Sequence, residues 1–189
     1  SSSGQTTAVG RAGSGLASLE EIGFERTNLH PLGLQGGSTS GETLLRDFLS
    51  RVAEHFAVTA SPTAVKPSRP GEFALYVGKQ WYRLNIRPEA IPADPVARLD
   101  VSLLSDHLLA PVLGIHDLRR DKRIDFVGGI RGTAELEKLV TSGRAAVAFS
   151  MYPVSVADLM GIADAGEIMP PKSTWFEPKL RDALLIYTI

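Results

Sequence analysis

The sequence predicts an α+β fold in which a mixed sheet with a β-hairpin is covered by short amphipathic helices. Three patterns support this prediction: one amphipathic helix that begins near residue 39, an alternating hairpin over residues 72–86, and a later alternation of short strands with capped helices. A chain of 189 residues has room for one domain with a real core plus a tail. We therefore expect residues 42–189 to form a single α+β domain.

The segment 1–41 is predicted to be a disordered tail, a fragment end or a fusion segment. Glycine, serine and threonine dominate it, and its short apolar stretch at 22–24 is too small to bury a core. The chain starts at Ser1 rather than Met and shows no basic-then-apolar signal pattern. The fold prediction therefore leaves this segment out.

The first predicted helix begins at a capping box formed by Thr39 and Glu42 and carries apolar residues at helical spacing as far as Phe56. Residues 59–70 contain three prolines and are expected to form an extended loop. Two alternating strands follow, joined by the two-residue turn Gly78-Lys79. Glycine at the first turn position predicts type II′ geometry.

Asp100 is the predicted N-cap of the next helix, which is expected to stop near Pro111 or Gly114. Residues 123–127, with the sequence RIDFV, then form a predicted strand. Together they continue the α+β pattern beyond the hairpin.

The last third of the chain repeats that pattern. Thr133 can cap a helix, and residues 145–150 form a strand. Ser155 opens a capping box for a further helix that ends at Gly166, and residues 183–188 supply a final strand. No internal repeat is visible.

Composition restricts the classes of function. Twenty Lys and Arg against twenty-one Asp and Glu give a formal net charge of -1, so no overall field attracts nucleic acid or an anionic membrane. A basic cluster over 116–125 is interleaved with aspartates and has no aromatic side chain for base stacking, which predicts a solvated loop. We therefore expect neither a nucleic-acid nor a membrane partner.

The lack of cysteine excludes disulfides, thiolate zinc sites and cysteine nucleophiles, and it fits a cytoplasmic location. The longest apolar runs are far shorter than the roughly 18 residues that cross a bilayer. The four histidines include no pair at the i, i+4 metal spacing, so no metal site is predicted.

The first candidate site is the segment 166–173, GEIMPPKS. It matches the phosphate-loop pattern G-x-x-x-x-G-K-[ST] except that Pro171 replaces the second glycine. A phosphate loop aims successive backbone N–H groups at phosphate oxygens, and Pro170 and Pro171 have none. A helix rather than a strand also precedes the segment. These departures exclude a phosphate-loop ATPase.

The same loop can hold a ligand through its side chains. The proline-stiffened loop carries two cations, Lys172 and Lys179, and two hydroxyls, Ser173 and Thr174, which can bind a phosphate or carboxylate. In the alternative, structural interpretation, Trp175 and Phe176 anchor the loop on the core and the polar groups cap its backbone. The sequence alone favours the structural interpretation.

Carboxylates near that loop are a related candidate. Asp164, together with Asp158 and Glu167, could supply groups for magnesium or base chemistry beside Lys172. Helix capping and solubility explain these residues equally well.

The second candidate site is the glycine-rich turn over residues 126–133. Backbone N–H groups at a helix start bind anions. The three glycines of the turn, Gly128, Gly129 and Gly132, would let a ligand approach beside Arg131. The turn lacks the G-x-G-x-x-G spacing. A tight turn that needs positive φ explains its glycines as well as an anion site does.

Several long segments resemble the carboxy-terminal half of the bacterial and archaeal domain-of-unknown-function 1015 family. They are LDVSLLSDHLLAPVLGI (99–115), DKRIDFVGGIRGTAELEKLV (121–140), AFSMYPVSVADLMGIADAGEIMPPKSTWFEPKL (148–180) and the closing strand. The resemblance covers roughly residues 42–189, and MPPKSTWFEPK is its most specific motif. Members are soluble proteins about twice this length without an established activity.

The resemblance implies that the chain is the carboxy-terminal part of a larger protein. The family's amino-terminal half carries an A-D-G-H-H-R motif that is absent here, and segment 1–41 does not resemble the family. That half is therefore an expected partner. If activity needs both halves, this chain is inactive alone.

Some family members are described as ParB-like, a class that includes nucleotide-dependent kinases acting on free serine. The resemblance therefore implies a domain that binds a small phosphorylated or carboxylate metabolite or a nucleotide within a phosphotransferase-like enzyme. ATP or ADP with magnesium is the implied cofactor of the full-length protein, and no catalytic residue is assigned. The alternatives are a non-catalytic structural or partner-interaction module and, less favoured, a ParB-like DNA binder.

Overall fold

The computed structural model describes residues 5–9, 41–128 and 131–170. Six strands form one sheet in the order β2-β4-β3-β6-β1-β5. They are β1 (Gln5–Val9), β2 (Phe56–Ser61), β3 (Glu72–Val77), β4 (Gln80–Ile86), β5 (Ile124–Gly128) and β6 (Val147–Met151). Four helices, described below, and the short 3-10 helix Pro88–Ala90 complete an α+β fold and confirm the predicted class.

Every pairing between the described strands is antiparallel, so this part of the sheet is not mixed. Alternating strands and helices give parallel neighbours when consecutive strands lie side by side, and the predicted mixed sheet depends on that arrangement. Here β5 and β6 are not neighbours, because β1 lies between them.

Strand β1 departs from the predicted disorder of segment 1–41. Its Thr7 lies opposite Phe126 of β5 on one side and Phe149 of β6 on the other. The five residues of β1 have no helical or strongly alternating apolar pattern and so carry no local strand signal. Pairing with β5 on one side and β6 on the other satisfies the backbone hydrogen-bonding groups of β1, so the strand forms without a local sequence signal.

The helices lie on both faces of the sheet. Their bounds are α1 (Gly41–Val52), α2 (three consecutive segments, Asp100–Leu104, Ser105–Leu109 and Ala110–Leu113), α3 (Gly132–Thr141) and α4 (Val156–Asp164). Side chains of α1, α2 and α4 pack with Phe73 and Leu75 of β3. Helix α3 packs with Ala74 and Tyr76, which point to the opposite face because strand residues alternate.

The predicted first helix is shorter than its apolar pattern suggests. It ends at Val52, and Phe56 begins the edge strand β2, which takes up the start of the predicted loop 59–70. The hairpin turn also differs, because Gly78 (φ 57°) and Lys79 (φ 63°) both have positive φ. This is type I′ rather than type II′ geometry, and its twist matches that of the flanking strands.

Helix α2 begins one residue earlier than predicted and runs through Pro111. Leu99 is its N-cap, so Asp100 is the first helical residue. The middle segment is π-helical, with the Ala110 N–H donating to the Ser105 carbonyl five residues back. The helix ends where Gly114 adopts φ 63°, which confirms the predicted stop at that glycine.

The two later helices differ in how they start. Arg131 is the N-cap of α3 and makes no side-chain cap, so the predicted cap at Thr133 is wrong. Helix α4 has the predicted capping box, in which Ser155 and Asp158 exchange hydrogen bonds.

The predicted strand over 183–188 lies outside the described residues. None of the helices in the described part of the chain has both the length and the apolar character that crossing a membrane requires.

Gly114→Ala is expected to lower the free energy of unfolding by about 1 kcal/mol, because only glycine adopts left-handed φ without strain. Gly161→Ala is the matched control. A Cβ at either position meets no atom within 4 Å, but Gly161 lies inside α4 with ordinary helical φ. Gly161→Ala should raise the free energy of unfolding by roughly 0.5–1 kcal/mol. Urea denaturation checks both changes, and equal effects from the two substitutions would contradict the assignment of strain to Gly114.

Candidate functional site

A cleft lies at the end of the sheet where β2 and β3 begin and β4 and β6 end. The first turns of α2 and α4 form its other wall, and its volume is about 770 Å³. Clefts of this size bind small molecules in many proteins. We call it the Asp100 cleft, after the most buried charged residue among those that line it.

The walls of the Asp100 cleft combine stiff loops with an apolar surface. Four prolines line it, and each fixes its own φ and so restricts the loop that carries it. They are Pro70, Pro88, Pro95 and Pro153. The apolar part is contributed by core side chains such as Leu99, Leu103 and Ile162. A ligand would therefore meet a largely preformed surface, which lowers the entropy lost on binding.

Asp100 is held in the cleft by a hydrogen bond from a distant part of the chain. The Gly71 N–H donates to its Oδ1 at 2.7 Å, and only 8% of the residue is exposed. Burial raises the pKa of the Asp100 carboxyl to about 6, while the Gly71 hydrogen bond acts in the opposite direction and the nearby Asp158 carboxylate raises it further. Its second oxygen, Oδ2, has no donor among the described residues.

Asp158 is the second carboxylate of the cleft. Its Oδ2 accepts hydrogen bonds from the Ser155 N–H at 3.1 Å and from the Ser155 hydroxyl at 2.6 Å. The capping box thus fixes its position on the first turn of α4, and the side chain stays exposed. Two carboxylates from two helix starts therefore lie in one cleft.

Three arginines line the same cleft and outnumber its two aspartates. Arg69 donates to the Asn85 side chain at 3.1 Å, and Arg87 donates to the Ala53 carbonyl at 3.1 Å. The Arg98 guanidinium is exposed and has no hydrogen-bond or ion-pair partner in the described ranges. Among the described residues that line the cleft, Arg98 is thus the cation whose side-chain donors are all left for a ligand.

The polar groups of the cleft suit recognition of an anion more than resident metal chemistry. Within residues 41–128 and 131–170, no group of three or more His, Asp or Glu side chains is arranged to hold a metal ion. Guanidinium groups form paired hydrogen bonds with phosphate and carboxylate oxygens. A carboxyl whose pKa is near 6 can also exchange a proton near neutral pH.

Three of the residues predicted from the sequence, Gly128, Arg131 and Asp164, lie elsewhere. Gly128 is the buried last residue of β5, and Arg131 is exposed at the start of α3. Asp164 is the exposed last residue of α4. None of these three lines the Asp100 cleft. Arg131 and Asp164 belong to helices on opposite faces of the sheet, so the fold does not bring them together.

The remaining candidates, Gly129, Lys172, Ser173 and Thr174, lie outside the described residues. The predicted loop site therefore stays a prediction. The described chain stops at Pro170, which lines a separate cleft of about 620 Å³ with His116 and Arg119.

The basic cluster over 116–125 has a structural role at its centre. Arg123 donates to the carbonyl of Gly114 at 2.7 Å and to the carbonyl of Leu113 at 3.3 Å, and it forms an ion pair with Asp121 at 2.5 Å. These contacts satisfy carbonyls at the end of α2. Arg123 also lowers the pKa of the Asp121 carboxyl through their hydrogen bond.

Sequence reasoning misses the Asp100 cleft because its polar residues come from separate segments. Local patterns give Asp100 only the role of a helix cap and give Arg98 no role. Asp158 stands out as a carboxylate, but its proximity to Asp100 has no local signal. The density of prolines around residues 88–95 is the one hint in the sequence, since stiff loops often carry binding groups.

Comparison of the chain with protein-family models, with curated proteins and with solved structures gave no match.

Proposed function

We propose that this domain binds a small metabolite carrying a phosphate or carboxylate group in the Asp100 cleft. One observation supports the proposal best: Arg98 is exposed, lines a cleft of ligand size, and its side chain has no partner in the described ranges. Arg69 and Arg87 line the same cleft and are already oriented by hydrogen bonds to Asn85 and Ala53. Preoriented cations bind an anion with less loss of side-chain entropy.

The rest of the cleft supports a ligand of modest size with an apolar portion. Leu99, Leu103 and Ile162 offer apolar contact beside the charged groups. Ile91 also lines the cleft and keeps 42% of its surface exposed. An apolar surface with a few placed polar groups is the usual composition of a metabolite site.

The wider proposal is that the chain is the carboxy-terminal half of a cytoplasmic domain-of-unknown-function 1015 protein. In that protein the Asp100 cleft would hold the acceptor of a phosphotransferase-like reaction, serine-kinase-like in class, and the amino-terminal half would complete the site. The nucleotide would be ATP or ADP, with magnesium bound to its phosphates. The described carboxylates form no three-ligand group, so the metal would depend on the phosphates, water or other residues.

Arg98→Ala is expected to weaken binding of a phosphate monoester such as ethyl phosphate roughly tenfold, because a charged hydrogen-bonding partner is lost. Arg131→Ala is the matched control, since Arg131 is also exposed but does not line the cleft. Isothermal titration calorimetry or amide chemical-shift titration measures the dissociation constant of both variants. Loss of binding in Arg131→Ala with full binding in Arg98→Ala would move the anion site to the turn before α3 and contradict the cleft.

A non-catalytic partner-interaction module is the second candidate function. The outer face of α4 favours it, because Val156 and Met160, one helical turn apart, are 67% and 61% exposed. Ile168, beyond the end of the helix, is 84% exposed. The partner in this second proposal is the amino-terminal half of the proposed family. If neither phosphates nor carboxylates bind the wild-type chain, this second function is favoured.

A further inference from the structure

The Asp100 cleft contains an acceptor that its own protein surroundings do not use. Asp100 is 92% buried, since 8% of its surface is exposed, and its Oδ1 accepts the Gly71 N–H at 2.7 Å. No donor in the described ranges reaches Oδ2. A buried carboxylate oxygen without a donor costs free energy, so a ligand that supplies one is stabilised at this position.

A second negative charge lies beside that acceptor. Asp158 lines the same cleft, and its charge acts on Asp100. The two carboxylates sit on the first turns of α2 and α4, where the Gly71 and Ser155 hydrogen bonds hold them. Fixed like charges in one cleft repel each other, and a cation bound between them relieves the repulsion.

Resting on the function proposed above, we propose that the cleft's metabolite also carries a protonated amine, which Asp100 and Asp158 bind while Arg98 binds its phosphate or carboxylate. The ligand class is thus an amine-bearing anion. Both ends of such a ligand find opposite charges in one cleft.

A protonated amine fits the acidic side of the cleft better than a hydroxyl or a divalent cation does. A hydroxyl can donate one hydrogen bond and carries no charge, so it leaves the repulsion between the two carboxylates in place. An ammonium group has three donors and a positive charge, which serves Asp100 Oδ2 and Asp158 together. A divalent cation needs more oxygen ligands than the two described aspartates provide.

The test compares matched probes that differ only at one end. The phosphate series contains 2-aminoethyl, 2-hydroxyethyl and ethyl phosphate, with 3-aminopropyl and propyl phosphate to vary the spacing. The carboxylate pair is β-alanine and propionate. In the wild-type chain, at least one amine probe should bind about tenfold more tightly than its alkyl counterpart and more tightly than its hydroxyl counterpart.

Asp100→Asn should reduce the ratio of amine to alkyl affinity to about one, because the charged acceptor of the ammonium group is lost. Asp164→Asn is the matched control, because Asp164 is an exposed aspartate on α4 outside the cleft. It should keep the wild-type ratio. Circular dichroism of each variant confirms that the fold is retained.

Each alternative outcome has one meaning. If alkyl phosphates bind but no amine probe gains, or if the hydroxyl probe matches the amine, the amine proposal is overturned and anion binding stands. If the gain persists in Asp100→Asn, the amine is not bound by this carboxylate and the proposal fails. If no phosphate or carboxylate binds the wild-type chain, both proposals fail.

Discussion

Asp100→Asn is expected to raise the free energy of unfolding by about 3 kcal/mol at about pH 7.5. Asparagine keeps an oxygen that can accept the Gly71 N–H and removes the charge that burial and Asp158 disfavour. The size of the gain follows from the pKa of Asp100, about 6 in the folded chain against an ordinary 3.8, at roughly 1.4 kcal/mol for each tenfold change. Urea denaturation of both proteins measures it.

The pH dependence gives this prediction its sign. Between pH 3.8 and about pH 6, Asp100 keeps its proton in the folded chain but has released it in the unfolded chain. The contribution of Asp100 to stability is therefore largest below about pH 4 and is lost as pH rises through about 6. Asp121, whose pKa is lowered by Arg123, has the opposite dependence but is common to both proteins.

The difference in free energy of unfolding between Asp100→Asn and wild type should thus grow by about 3 kcal/mol from about pH 4 to about pH 7.5. A constant difference across this range would show that Asp100 ionises normally in the folded chain. Asp164→Asn, at an exposed position, is the control and should show no comparable trend.

Phe149→Ala is expected to lower the free energy of unfolding by roughly 3–5 kcal/mol, because it removes a fully buried ring and leaves a cavity. Phe149 is 0% exposed and lies in β6 between Leu75 of β3 and Thr7 of β1. Urea denaturation again measures the change, and the slope of the free energy of unfolding against urea concentration is compared between the variant and the wild type.

Met160→Ala provides the control for Phe149→Ala. Met160 also has a large apolar side chain, but 61% of it is exposed on α4. Its loss should change stability by no more than about 0.5 kcal/mol. If the two substitutions destabilised the chain equally, Phe149 would not lie in the centre of the core.

The elements that the sequence predicted best are those whose signal is local. Ser155 and Asp158 form the capping box that their spacing indicates, and the hairpin follows from alternation around Gly78. Gly114 ends α2 as expected. Each depends on residues within a few positions of one another, so the interaction that stabilises the element is already present in the sequence pattern.

The errors also have a physical pattern. Phe56 continues the helical spacing of α1, yet pairing with Ile86 of β4 places it in a strand. Gln5–Val9 have no strong local preference and become a strand through partners more than 100 positions away. Long-range backbone pairing outweighed local propensity in both places.

The sequence by itself determined the α+β class, the main helices after residue 41, the central hairpin and a nearly neutral charge balance. Only the tertiary structure decided the candidate site, because Asp100 meets Gly71 across 29 positions and shares its cleft with Arg98 and Asp158. Burial and neighbouring charge set the acidity of Asp100 and leave one of its oxygens open to a ligand. Neither property belongs to an aspartate in a sequence; both arise when the fold removes water from it.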